Sequence, residues 1–373
     1  RQRQMCIRDS LDGSLQAPRL SGEAALQVPV IELGEPATVF SKSRVELKLD
    51  GTDISLQGQS ELAGRPIHLH GSGRFSSIDD WHAGFTVQAD GIPLASIPAI
   101  SLQDDFALEG NLETKIDVAI DSQLKIERLD AKLAVGKGTL TRTFIDGEKE
   151  RLVISDLRLA AQIEKDQLLV SGLLKDNKNG RLDMKLMLPA QLDRLSETDL
   201  VLDGQLSADF PNLQAFGIFL DDVSLPEGRF LAAISVSGSA TAPELKGNAS
   251  LDVPRLDLTE PVISFDNTHL DIKLSGNELS LNGSSKIDSR PVVLDGTAML
   301  QSVDMWNTKL KLTAESIRLD DVFGSSLQTS PDLVLLIEPG ILKLSGDIVV
   351  EGSEIVIPDL SSTIRPSSDV RIG

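Results

Sequence analysis

One stretch of this chain occurs twice. Residues 17–94 align with residues 242–319 without a gap, at an offset of 225 positions. Pro18, Leu20 and Gly22 match Pro243, Leu245 and Gly247, and Val28-Pro29 matches Val253-Pro254. Glu35-Pro36, Phe40, Lys48, Leu49, Gly51, Leu56 and Gly58 find Glu260-Pro261, Phe265, Lys273, Leu274, Gly276, Leu281 and Gly283. Arg65-Pro66 and Gly71 find Arg290-Pro291 and Gly296, and the chain's two tryptophans, Trp81 and Trp306, obey the same offset. Turn residues held in one frame over such a length mark a duplicated structural unit, and any fold must satisfy both copies.

Within the unit the hydrophobic period is two. Leu270, Ile272 and Leu274 alternate with His269, Asp271 and Lys273, and after Ser275-Gly276-Asn277 come Leu279 and Leu281. Val45, Leu47 and Leu49, then Asp50-Gly51-Thr52, then Ile54 and Leu56 repeat the pattern in the first copy. That period puts apolar side chains on one sheet face and polar ones on the other. The Gly-containing turns supply the positive φ of tight hairpins. The expected fold is therefore all-β: a long curled antiparallel sheet of repeated short strands. Pro211 precedes the one helical pattern, residues 212–220, where Leu213, Phe216 and Leu220 share a face; it is expected to cap an open end of the sheet.

Other segments are read by the same rules. Residues 92–100, with Pro93 and Pro98, are expected to be a loop or edge strand. Asp176–Gly180 (DNKNG) is the clearest turn, and Gly136-Lys137-Gly138-Thr139 also reads as a β-turn, because the spacing of a phosphate loop is missing. Residues 152–154 and 157–161 read as separate strands. Residues 5–10, MCIRDS, resemble a translated sequencing adaptor, so residues 1–10 are set aside. Residues 11–241 then form a first repeat unit and 242–373 a second, truncated one.

Composition bears on what the apolar face is for. Hydrophobic residues make up 40% of the chain, yet aromatics only 3%, with no tyrosine. A smooth aliphatic face suits hydrocarbon chains better than a protein hot spot, which favours Trp, Tyr and Arg; an ordinary core between two sheets uses the same residues. A net charge of −20 repels phosphates and excludes nucleic acid as a partner. The candidate lining residues of an apolar groove are Val45, Leu47, Leu49, Ile54, Leu56, Ile67 and Leu69 in the first copy. In the second they are Leu270, Ile272, Leu274, Leu279, Leu281, Val292, Leu294, Leu310 and Leu312.

Catalytic and metal chemistry find no support. His68 and His70 share a strand face, but their counterparts are Val293 and Asp295, so the repeat does not keep the pair. The paired acids Asp79-Asp80, Asp104-Asp105, Asp221-Asp222 and Asp320-Asp321 read as loop residues, since neighbours on a strand point to opposite faces. No enzyme, metal site or cofactor is expected.

From Gly228 the chain reads GRFLAAISVSGSATAPELKG, a strand followed by Gly-Ser and Pro-x-Leu-x-Gly. Residues 180–189 read GRLDMKLMLP, and the end reads GDIVVEGSEIVIPDLSSTIRPSSDVRIG, with Pro-Ser-Ser-Asp-Val at 366–370. In this order the motifs resemble the TamB family, the translocation and assembly module subunits of Gram-negative bacteria, over nearly all of residues 11–373. The resemblance implies a β-taco with an open hydrophobic groove that spans the periplasm. It implies transport of phospholipid between inner and outer membrane, and autotransporter assembly with a TamA-like outer-membrane barrel. It also implies anchoring through an inner-membrane helix absent from this chain, and entry at the end into the family's C-terminal domain. The other readings are a scaffold that pairs client strands on its edges, and a surface adhesin or β-solenoid.

Overall fold

The computed structural model describes residues 4–355 except 15–16, 36, 78, 98–104, 124, 146, 165, 191–200, 221–222, 225–226, 240, 259–261, 301–304 and 323–324. The alternating segments become strands β1 (Gln4–Ser14), β2 (Ala17–Leu33), β3 (Thr38–Asp50), β4 (Asp53–Leu62), β5 (Arg65–Ser77) and β6 (Asp80–Pro93). They continue as β7 (Phe106–Asp121), β8 (Ile126–Thr143), β9 (Lys149–Glu164), β10 (Gln167–Asp176), β11 (Arg181–Pro189) and β12 (Val201–Phe210). Next come β13 (Val223–Ser224), β14 (Arg229–Ser239), β15 (Pro243–Leu258), β16 (Ile263–Gly276), β17 (Glu278–Ile287) and β18 (Arg290–Leu300). The last are β19 (Trp306–Ala314), β20 (Ile317–Val322), β21 (Ser325–Glu338) and β22 (Ile341–Ile355). The fold is all-β, one antiparallel sheet that does not close into a barrel.

The connectivity is a meander. Every strand but β13 pairs with a chain neighbour, and β12 pairs directly with β14. β13 and β14 lie along the same edge of β15, and β19 and β20 along the same edge of β21. Each of these pairs is thus one interrupted strand. The sheet continues across residue 241, with Gly238 opposite Pro243.

The repeat is reproduced down to its irregularities. β4 and β17 have identical bounds after the shift of 225. A bulge between Ser41 and Arg44 recurs between Asp266 and His269, with Lys42 and Asn267 both at φ 51°. Ala63-Gly64 turns with φ of 49° and 76°, Asp288-Ser289 with 47° and 66°. The Ser43 and Ser60 hydroxyls meet at 2.8 Å, as do those of Thr268 and Ser285.

Most of these bulges lie near one rim, at the strand ends joined by the 62–65, 143–149, 176–181 and 287–290 turns. We call it the bulged rim, and the opposite one, with the 50–53, 164–167 and 276–278 turns, the plain rim. A bulge bends its strand and sharpens the twist. Here the bends pack strand ends onto the apolar face: Leu62, Ala89 and Ile92 form one buried cluster, and Ile287, Val292, Ala314 and Ile317 its repeat counterpart.

Elsewhere, among the described residues, no second sheet covers the first: every extensive contact between strands is between ladder neighbours, and short 3-10 segments alone pack on it. The accessible surface is 24767 Å², whereas compact folding of a 40.1 kDa chain leaves about 14,000 Å².

Several local expectations change. Gly136–Thr139 is not a turn but runs inside β8, where a register shift opposite Gly110 and Leu112 absorbs the extra residue. Residues 152–154 and 157–161 belong to one strand, β9. Ile92 and Pro93 are paired with Leu112 and Asn111, and a 3-10 turn, Leu94–Ser96, follows; Pro98 lies outside the described residues. Asp320 and Asp321 sit in β20 instead of a loop, while Asp104, Asp221 and Asp222 lie outside the described residues. The helical segment is 3-10, Gln214–Phe219, and it packs on the sheet face midway along, not over an end.

Candidate functional site

Residues directly opposite in an antiparallel ladder share a face. One line of such partners runs Ile92, Leu112, Val135, Leu157, Leu174, Leu182, Ala208, Ala232, Ala249, Ile272, Leu281, Gly296, Leu310, Leu335, Leu344. From β6 to β22 every position on that line is apolar or glycine. A second line, Leu26, Val45, Gly58, Leu69, Val87, Ile116, carries the wall across the first copy.

All sixteen predicted lining residues fall on this face. Leu274 and Val292 are buried, Leu47 is exposed at 39%, and the other thirteen are half-buried. Half-burial is what neighbours on the same sheet provide without a covering layer. Val292 lies in the packed cluster at the bulged rim, with Leu312 against it, and Ile67 packs on the equivalent cluster of the first copy. The other thirteen lie outside these two rim clusters. The sequence reading covered only the two copies; Ile116, Val135, Leu157, Leu182 and Ala208, on the strands between them, extend the same face and follow the same alternation.

The outer face is polar and laced with short-range pairs. Lys48 reaches Glu23 at 2.9 Å, Arg158 reaches Asp156 at 3.0 Å, and Arg255 reaches Asp257 at 2.9 Å. Exposed pairs of this kind contribute little to stability. His269 lies between Asp252 at 2.6 Å and Asp271 at 2.9 Å. The hydrogen bond to Asp252, then that to Asp271, raises its pKa above the ordinary value. At the repeat-equivalent position Arg44 pairs with Glu46, so the second copy carries a titratable version of the same contact. His68 and His70 are exposed on the outer face.

The 3-10 helix Gln214–Phe219 bridges the apolar face at the bulged rim. Phe216 packs edge-on against Phe210 of β12 with centroids 4.8 Å apart, and lies 6.3 Å from Phe219. Phe219 stacks on Phe106 of β7 at 6.3 Å. These three steps together are shorter than five flat strand spacings, on the order of 24 Å. The sheet is therefore curled between β7 and β12, with the helix as a chord. Arg142 of β8 lies 5.2 Å from the Phe106 ring centroid and 4.7 Å from that of Phe144. It pairs with Asp105 at 2.8 Å and donates to the Ile218 carbonyl at 3.2 Å. Ile218 is fully buried.

Residues 82–251, from β6 to β15 and including the bridging helix, match the family model described as the TamB N-terminal domain. The translocation and assembly module subunit TamB of Haemophilus influenzae is 24% identical over 267 residues, 70% of this chain and 20% of that protein. Both likenesses are to the TamB family. The chain spans about a fifth of the length of that curated TamB. No solved structure matches it. Among the described residues no helix is long and apolar enough to cross a membrane. The stretch matched by the family model contains the strands that join the two copies, and that model overlaps the internal repeat only at its margins.

Proposed function

We propose that this chain is one segment of an envelope-spanning TamB protein of Gram-negative bacteria, and that its apolar face conducts phospholipid between the inner and outer membranes. The observation that carries the reading is the unbroken apolar line from Ile92 to Leu344, on a face overlaid by Leu213 and Phe216 at Ala208, Ala232 and Ala249 and by no second sheet among the described residues. Apolar area left in water costs about 25 cal/mol per Å². An acyl chain laid along the wall recovers up to about 0.8 kcal/mol per methylene buried. Because successive strands present the same aliphatic profile, no position is a preferred stopping point. A charged headgroup can remain in water at the plain rim and need not be desolvated. No side chain has to do chemistry. The periplasm, the inner-membrane anchor and a TamA-like barrel belong to this proposal for the whole protein.

A second reading is favoured by one edge. β22 pairs only with β21 among the described residues, and Ile341, Leu342, Leu344, Ile348, Val349 and Val350 are all exposed. Such an edge can accept a further strand, as a scaffold for outer-membrane protein assembly would.

Native mass spectrometry of the purified chain tests the first reading. Phospholipid masses retained after mild extraction are expected. A preparation that is lipid-free and stays so after incubation with phospholipid vesicles refutes conduction.

A further inference from the structure

We propose that the segment 211–220 is a strap that closes the bulged rim over β7–β12, so that acyl chains enter and leave this stretch only along the plain rim. The inference rests on the lipid reading above and adds an entry side to it.

The strap is tied at both ends. At β12 it is held by the Phe210–Phe216 edge contact, and just before β14 by the Leu213 N–H donating to the Gly228 carbonyl at 3.1 Å. At β7–β8 it is held by the Phe106–Phe219 stack and by Arg142. The seat is unlike the rest of the wall. Phe106 and Arg142 are direct partners and share the face of Leu108 and Leu140. Arg142 thus places a guanidinium on a mainly apolar surface, opposite Glu150 of β9, and its side chain is only 14% exposed. Burying that cation is costly unless every donor finds a partner. Asp105 and the two aromatic faces come from β7, β8 and their flanks, and the Ile218 carbonyl joins them only while the strap is docked. In a chain with 3% aromatics, this rim gathers an aromatic path that links β12 to β7.

Arg142→Ala removes the seat's cation, and Phe219→Ser, at a residue 51% exposed, removes the stack with less risk to folding. Two readouts apply to each variant in the full chain: amide exchange, and the release rate of a fluorescent stearate. The expected result for Arg142→Ala is at least tenfold faster exchange at the Phe216 and Leu220 amides, unchanged exchange in β16–β18, and several-fold faster stearate release. Phe219→Ser is expected to act in the same direction and less. Unchanged exchange in both variants overturns the strap, and faster exchange with unchanged release overturns its control of entry. If the unaltered chain binds no stearate, the acyl-chain reading fails and takes this inference with it. Bound stearate with strap-independent release sinks this inference alone.

Discussion

Leu281 sits on the apolar line, opposite Ile272 on one side and Gly296 on the other. Replacing it with aspartate puts a carboxylate on the wall without burying it, because the side chain is half-buried on a face that has no second layer. The cost to folding is limited to the part of the leucine already covered by neighbours, roughly 1 kcal/mol. The cost to a bound acyl chain is larger. A hydrated carboxylate denies contact to about three methylenes at about 0.8 kcal/mol each. That loss, about 2.4 kcal/mol, corresponds to about 50-fold in affinity. The assay is displacement of a fluorescent fatty acid, with urea unfolding as a control for folding. Asn282→Asp, one residue along on the exposed outer face, should leave affinity unchanged. A folded Leu281→Asp chain that binds as tightly as the unaltered one would falsify the assignment of this face as the lipid wall.

Three further outcomes are expected. The raised pKa of His269 means its pairs stabilise the fold below the unfolded value, about 6.5, and the contribution fades as pH rises through the folded value. An NMR titration should place its midpoint above about 6.5, and His269→Gln should flatten stability against pH in that window; a midpoint at or below 6.5 refutes the arrangement. A double-mutant cycle on Ser43 and Ser60 should give a coupling of about 1 kcal/mol in urea unfolding, with the same value for Thr268 and Ser285; unequal couplings would show that the two bulges are not equivalent. Ser289, at φ 66° where the first copy has Gly64, carries left-handed strain, so Ser289→Gly should stabilise by about 1 kcal/mol; no gain in midpoint would mean the turn relaxes some other way.

Much of the sheet was legible because its signals are local. The alternation of Leu270, Ile272 and Leu274 fixes a face, and Asp176–Gly180 declares its turn: the Asp176 carboxylate accepts the Lys178 and Gly180 amides at 2.7 and 2.6 Å. Two kinds of feature were not legible. The bulge common to both copies left no glycine signature, since its positive φ falls on Lys42 and Asn267, while the two glycines of Gly136–Gly138, which do look like a turn, lie within a strand. The seat of the strap was hidden for a different reason. Arg142 and Ile218 are 76 residues apart, and only the stacking of the four intervening strands in a curled sheet brings them together. Alternation predicts which way Arg142 points but not what arrives above it.

The meander has a consequence for how such a chain is made. Nearly every ladder joins segments adjacent in sequence, so the entropy of closing long loops is seldom incurred, and topology of this kind folds quickly. A newly emerging hairpin can dock on the last finished one and offer a fresh edge to the next, without waiting for the far end of the polypeptide. Growth by whole hairpins also leaves the existing ones undisturbed. A duplication such as the one separated by 225 positions can therefore lengthen the molecule while its cross-section stays the same.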